Sequence, residues 1–284
     1  MNNRTPQWRT MDAATRAQAY SPSSVLDGPI DPFIQAYVDK SAAAYAAFEN
    51  VQTIKYGFKS SNSIDLLMPS GSKLAPLHIF IHGGYWQLLS KRDSFFPAPD
   101  TLKRGMGFAA IDYTLAPDAS LDDIVSECCD AIECLHDNAA QLGYDPSAFI
   151  LSGSSAGAHL AAMCCLKLPA IRRPKGLALL SGIYELEPLI GTYINDAVGM
   201  DVDVAKRNSP MRANLSGFPN TVIAWGAQET DEFKRQSNQF ADHLIQADAT
   251  VTRLEAPERN HFDIVMDLVN DTELGCALAD LVSN

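Results

Sequence analysis

The chain has 284 residues, enough for one large α/β domain or two small ones. Hydrophobic residues make up 46% and charged residues 20%, an ordinary globular balance, and no apolar run approaches the roughly 20 residues that span a bilayer. A formal net charge of -12 without any five-residue basic patch argues against nucleic acid as a partner.

The opening MNNRTPQWRTMDAATRAQAY is polar and lacks the apolar centre of a secretory signal, so a cytoplasmic location and no membrane partner are expected. DPFIQAYVDKSAAAYAAFEN (31–50) has helical character. Two short alternating stretches, 53–58 and 63–68, flank a polar turn and predict a hairpin. Then LHIFIH (77–82) is continuously apolar, as in a strand buried on both faces. A helix is expected near 96–104, a strand over 106–113, and a long amphipathic helix over 121–142. AFILSG (148–153) and AGAHLAAMCCLKL (156–168) repeat the strand–helix pair. Further strands are predicted at 176–182, 221–226 and 250–256, with helices at 232–247 and 262–282.

Strands alternating with helices imply βαβ units. The expected fold is α/β: a mostly parallel central sheet with helices on both faces and antiparallel N-terminal edge strands. No repeat or linker interrupts it, so a single domain is expected. The poorly periodic stretch 183–220 reads as a small cap-like insertion over the strand ends. None of the six cysteines falls in a CxxC pair, and they read as small buried hydrophobes.

Chemistry concentrates in three places. GSSAG (153–157) fits G-x-S-x-G where a strand ends and a helix begins, the context of a nucleophile elbow centred on Ser155. HGGYW (82–86) follows another strand, and its glycines allow backbone N–H groups to face a developing oxyanion. Gly83, Gly84 or Tyr85, together with Ala156 after the nucleophile, are the expected donors. Of the six histidines, His261 alone follows the last predicted strand and precedes the last helix, where a general base belongs in the order Ser, acid, His. The acid should lie in GAQETDE (226–232), where Glu229, Asp231 and Glu232 compete and local spacing ranks none of them.

In this order these motifs resemble the arylformamidase (kynurenine formamidase) family of the α/β-hydrolase superfamily. The resemblance runs through YSPS (20–23), HGGYWQ (82–87), SAGAHLAAM (155–163), SGIYELEPL (181–189), RNSP (207–210), EFKRQS (232–237) and NHFDI (260–264). The family's acid stands three residues before EF-x-RQS, which implies Glu229 here, with Asp231 in reserve. The sequence departs from the family in carrying Glu where Asp is common and Ser154 where His is common. The resemblance implies an α/β-hydrolase fold and a serine hydrolase that cleaves N-formyl-L-kynurenine to L-kynurenine and formate. A general esterase or amidase acting on small aryl esters, carbamates or other amides is the alternative. No metal or other cofactor is expected, and the partner is a small-molecule substrate. A homodimer is left open. An aromatic slot for the aryl amine is expected from Tyr85 and Trp86.

Overall fold

The computed structural model describes residues 7–71, 74–268 and 271–283. In chain order its first half runs α1 (Ala13–Ala19), α2 (Asp31–Ala47), β1 (Gln52–Lys55), β2 (Ser63–Leu67), β3 (Ala75–Ile81), α3 (Ala98–Lys103), β4 (Gly107–Ile111), α4 (Leu121–Asp137) and α5 (Ala139–Leu142). The second half continues with β5 (Tyr144–Ser154), α6 (Ala156–Lys167), β6 (Gly176–Leu180), α7 (Asn195–Val198), α8 (Val202–Arg207), β7 (Asn220–Gly226), α9 (Asp231–Gln246), β8 (Val251–Ala256) and α10 (Glu273–Ser283).

The described strands join in one sheet of order β1-β2-β4-β3-β5-β6-β7-β8. β1 and β2 pair antiparallel, as do β2 and β4, and every other neighbour pair is parallel. This is the expected α/β-hydrolase architecture, with the antiparallel strands at the N-terminal edge.

The continuous apolar runs follow from burial on both faces of the sheet. Side chains alternate along a strand, so Leu77, Ile79 and Ile81 of β3 enter one core and Phe80 the other. Leu177 and Leu179 of β6 likewise oppose Ala178 and Leu180. The first core is closed by apolar residues of α4, α6 and α9, the second by residues of α2, α3 and α10. At the start of α4, Ser120 and Asp123 form a reciprocal capping box, in which the Asp123 N–H donates to Ser120 Oγ (3.2 Å) and the Ser120 N–H to Asp123 Oδ2 (3.1 Å).

Two expectations change in detail. The tail is not one helix: a short 3-10 segment, Ile264–Leu268, precedes α10, and residues 269–270 lie outside the described residues. The cysteines are not uniformly buried. Cys128, Cys164 and Cys165 are, Cys129 and Cys134 are half-buried, and Cys276 is exposed. Among the described residues no helix is long and apolar enough to cross a membrane.

Candidate active site

Ser155 sits between β5 and α6 with φ 57° and ψ -121°, a conformation that non-glycine residues rarely adopt. Its N–H donates to the Leu180 carbonyl of β6 (2.8 Å), which fixes the turn to the sheet. The strain is sustained by close packing around the turn. A Cβ on Gly157 would collide with the Ile81 carbonyl of β3, so only glycine lets α6 start this close to the neighbouring strand. On the other side, a Cβ on Gly83 would stand 2.7 Å from the Ser154 carbonyl. The two sequence motifs are therefore in contact, one glycine to each.

His261 follows β8 in a turn held by its neighbours. Asn260 Oδ1 accepts the N–H of Phe262 (2.8 Å), and Asp263 Oδ1 accepts the N–H of Asn260 (2.7 Å). The ring packs against Phe233 of α9, with centroids 4.5 Å apart. Its Nδ1 lies 2.8 Å from Glu229 Oε2. With Glu229 ionised, Nδ1 carries the proton and Nε2 is left as a base.

The Glu229 carboxylate is fully enclosed, and each of its oxygens has a partner. Oε1 accepts from Ser181 Oγ (2.5 Å) and from the Gly226 N–H (2.6 Å). Three strand ends converge here: Ser181 follows β6, Gly226 closes β7, and His261 follows β8. The Gln228 N–H donating to the Arg259 carbonyl (3.0 Å) ties the acid loop to the base loop. The competing acids are elsewhere. Asp231 is fully solvent-exposed and 3.4 Å from Lys234, while Glu232 accepts from the Tyr20 hydroxyl (2.6 Å) and from Arg235 (2.6 Å).

The loop after β3 carries positive φ at Gly84 (93°), Tyr85 (50°) and Trp86 (64°). Tyr113 stacks on His82, with centroids 4.2 Å apart, and its hydroxyl donates to the His82 carbonyl (3.1 Å). Among the described residues, no acceptor takes the N–H of Gly83, Gly84 or Tyr85. The N–H of Ala156, at the first position of α6, has no helical carbonyl to bond.

Ser155, His261, Gly83, Gly84 and Tyr85 all border one cavity of about 470 Å³, whose walls are mostly apolar. Tyr85 donates its hydroxyl to the Tyr20 carbonyl (2.6 Å), and burial raises its pKa, so it stays a neutral donor. Trp86 is not on the cavity wall. Its indole is completely buried, and Nε1 donates to His159 Nδ1 (3.2 Å). The expectation of Trp86 as an aromatic substrate contact is therefore corrected: the left-handed turn at Tyr85 and Trp86 sends one ring to the cavity and the other to the core. Phe262 and Tyr193 supply aromatic wall in its place.

Several wall residues carry no local signature. Ile34 and Tyr37 come from α2 and Phe96 from the loop before α3, whereas Ser21 and Pro22 belong to the YSPS motif, which gave no hint of a place on the cavity wall. Tyr37 stacks on Phe96, with centroids 5.7 Å apart, and its hydroxyl donates to the Phe262 carbonyl beside the base. Ser181 was visible as the start of SGIYELEPL, but nothing local pointed to its contact with Glu229. From the irregular stretch 183–220, only Tyr193 and Ile194 reach the cavity. Elsewhere it packs on helices, with Asn208 O bonded to His159 of α6 (2.7 Å) and Arg207 paired with Asp122 of α4 (2.5 Å). Among the described residues, no cluster of three or more His, Cys, Asp or Glu side chains is arranged to hold a metal.

The BD-FAE family model matches residues 64–172, which include the loop after β3 and the Ser155 turn. Kynurenine formamidase from Danio rerio is 31% identical over 282 residues, covering 94% of this chain and 95% of its own. The kynurenine formamidase of Salmo salar is 30% identical, covering 93% of this chain and 94% of its own. Among solved structures, a thermophilic carboxylesterase cloned from a metagenomic library superposes with a TM-score of 0.74 at 16% identity, over 90% of this chain and 97% of that one. That likeness shows the fold, whereas the formamidase matches extend through nearly the whole sequence. With relatives at that identity over nearly its full length, the chain belongs to the kynurenine formamidase (arylformamidase) family of α/β hydrolases.

Proposed function

We propose that this hydrolase cleaves N-formyl-L-kynurenine to L-kynurenine and formate by a serine mechanism. The observation that carries the reading is the meeting, at one cavity, of the strained Ser155 and of His261 bonded to Glu229. Ser155 attacks the formyl carbon as His261 Nε2 takes its proton. In this reading, charge then develops on the formyl oxygen and is received by the unpaired N–H groups of the loop after β3 and of Ala156. Such donors contribute roughly 3–4 kcal/mol each in comparable sites. His261 next protonates the departing aryl amine, and water releases formate from Ser155. Glu229 holds the imidazole tautomer and stabilises the imidazolium.

The test is formate release from N-formyl-L-kynurenine by the purified protein, with Ser155→Ala expected to reduce kcat by about a million-fold. Undiminished turnover by that variant would remove Ser155 from the reaction. A second reading, a general aryl esterase, draws on the mostly apolar cavity, larger than a formyl group requires. Preference for p-nitrophenyl acetate over N-formylkynurenine in a side-by-side kcat/KM comparison selects that reading.

A further inference from the structure

The wall of the cavity is electrically one-sided. Among its described residues Asp93 is the one carboxylate, and neither lysine nor arginine borders it. Asp93 stands at the end of a short 3-10 turn, Lys91–Asp93, in the same connection that carries the oxyanion loop. One of its oxygens, Oδ2, accepts from Ser90 Oγ (2.8 Å), and among the described residues no hydrogen bond reaches Oδ1. The two adjacent cations are committed elsewhere. Lys91 Nζ is buried against Asp65 Oδ1 (2.6 Å), and the Arg92 guanidinium lies over the Tyr45 ring, 4.6 Å from its centroid.

The segment bearing Asp93 is firmly seated. Ser41 Oγ on α2, itself fully buried, accepts the N–H groups of both Phe95 and Phe96 (3.1 Å each). Phe96 stacks on Tyr37, and Tyr37 bonds to Phe262 next to the base. Asp93 thus stands at a fixed place relative to His261. A carboxylate beside apolar walls with an unused oxygen gains strongly from an ammonium group that supplies a charge-assisted hydrogen bond. A substrate carboxylate would meet Asp93 and no cation. The formal net charge of -12 adds a long-range field of the same sign.

We propose that Asp93 is the specificity-determining residue that binds a primary ammonium group on the amine side of the substrate, so that the enzyme selects aryl formamides by their amine and not by their carboxylate. This rests on the reading of the site as an aryl-formamide hydrolase. N-Formylkynurenine carries both groups on one side chain, and among the described residues the wall has a carboxylate for the ammonium group but no lysine or arginine for the carboxylate.

The test uses three matched formamides on the intact protein: N-formylkynurenine, its decarboxylated analogue N-formylkynurenamine, and its deaminated analogue 4-(2-formamidophenyl)-4-oxobutanoate. The amine-only compound is expected to match or exceed N-formylkynurenine in kcat/KM. The carboxylate-only compound should fall below it by ~10- to 100-fold. Asp93→Asn should collapse the ratio of amine-only to carboxylate-only turnover by a similar factor. Equal turnover of the two analogues by the wild-type protein overturns the proposal without any variant, as does a ratio that Asp93→Asn leaves intact. A matched ester pair, 2-(3-aminopropanoyl)phenyl acetate and 2-propanoylphenyl acetate, separates the two layers of the argument. Inert formamides with active esters sink the formamidase reading, while the preference within the ester pair still decides the role of Asp93.

Discussion

The two sides of the cavity are built by different means. On the acid–base side, Glu229, Ser181, Gly226 and His261 all lie at the C-terminal ends of β6, β7 and β8 or just beyond them, and both oxygens of the buried carboxylate are satisfied. On the opposite side, where the proposed oxyanion donors lie, the loop after β3 takes its support from remote pieces of chain. Tyr85 is held by Tyr20, Gln87 by the Ile194 carbonyl (2.8 Å), and Trp86 by His159. The contrast separates chemistry from selectivity. In the proposed mechanism the acid and base stand at the ends of neighbouring strands, while much of the cavity wall comes from segments remote in sequence.

The largest loss of activity on the strand-end side is expected at the acid. Glu229→Gln keeps the shape of the side chain but removes the charge that fixes the His261 tautomer, and kcat should fall by about 10⁴-fold. Asp231→Asn, on a solvent-exposed side chain, should leave the rate within about twofold. Equal losses from the two variants would refute the assignment of Glu229.

The next largest effect is on stability and belongs to the other side. His159 is fully buried, and burial depresses its pKa to about 4 from 6.5; a proton on Nδ1 would also face the Trp86 N–H. The fully buried His78 is depressed to about 3, chiefly by the same cause. The unfolded chain therefore binds protons below pH 6.5 that the folded chain refuses, and stability must fall as pH drops from about 6.5 toward 4. His159 alone should account for a loss on the order of 3 kcal/mol across that window. Urea unfolding at pH 7.5, 6 and 4.5 reads the slope, and His159→Gln should flatten it. A wild-type midpoint that does not move with pH would contradict the account.

Smaller effects sharpen the division. Ser181→Ala removes one hydrogen bond from Glu229 and should lower kcat about tenfold with KM little changed. Trp86→Phe should instead cost roughly 1 kcal/mol of stability through the lost bond to His159, with KM nearly unaltered. A large KM rise in Trp86→Phe would return that ring to the substrate slot.

Legibility in the sequence divides along the same line. Ser155 and His261 could be found because a strand-to-helix G-x-S-x-G and a histidine after the last strand are local patterns tied to chain order. The parallel sheet was readable because strands buried on both faces leave continuous apolar runs. Glu229 needed the family resemblance, since three carboxylates within four residues differ in where the loop turns them, which no spacing encodes. Trp86 was misplaced for a related reason: consecutive left-handed residues break the alternation that normally tells inside from outside. Ser181, Ile34, Tyr37 and Phe96 join the site through contacts between segments far apart in sequence, where periodicity is silent.

The bond from Tyr20 to Glu232 spans 212 positions of the chain. Tyr20 is made before any strand of the sheet, yet its partner on α9 follows seven of the described strands. Until then neither the tie to Tyr85 nor the wall at Ser21 and Pro22 has its anchor. With synthesis at about 5–20 residues per second, that interval lasts on the order of ten seconds or more. A nascent chain already bearing Ser155 thus lacks this anchor until α9 has been made, and His261 is added later still.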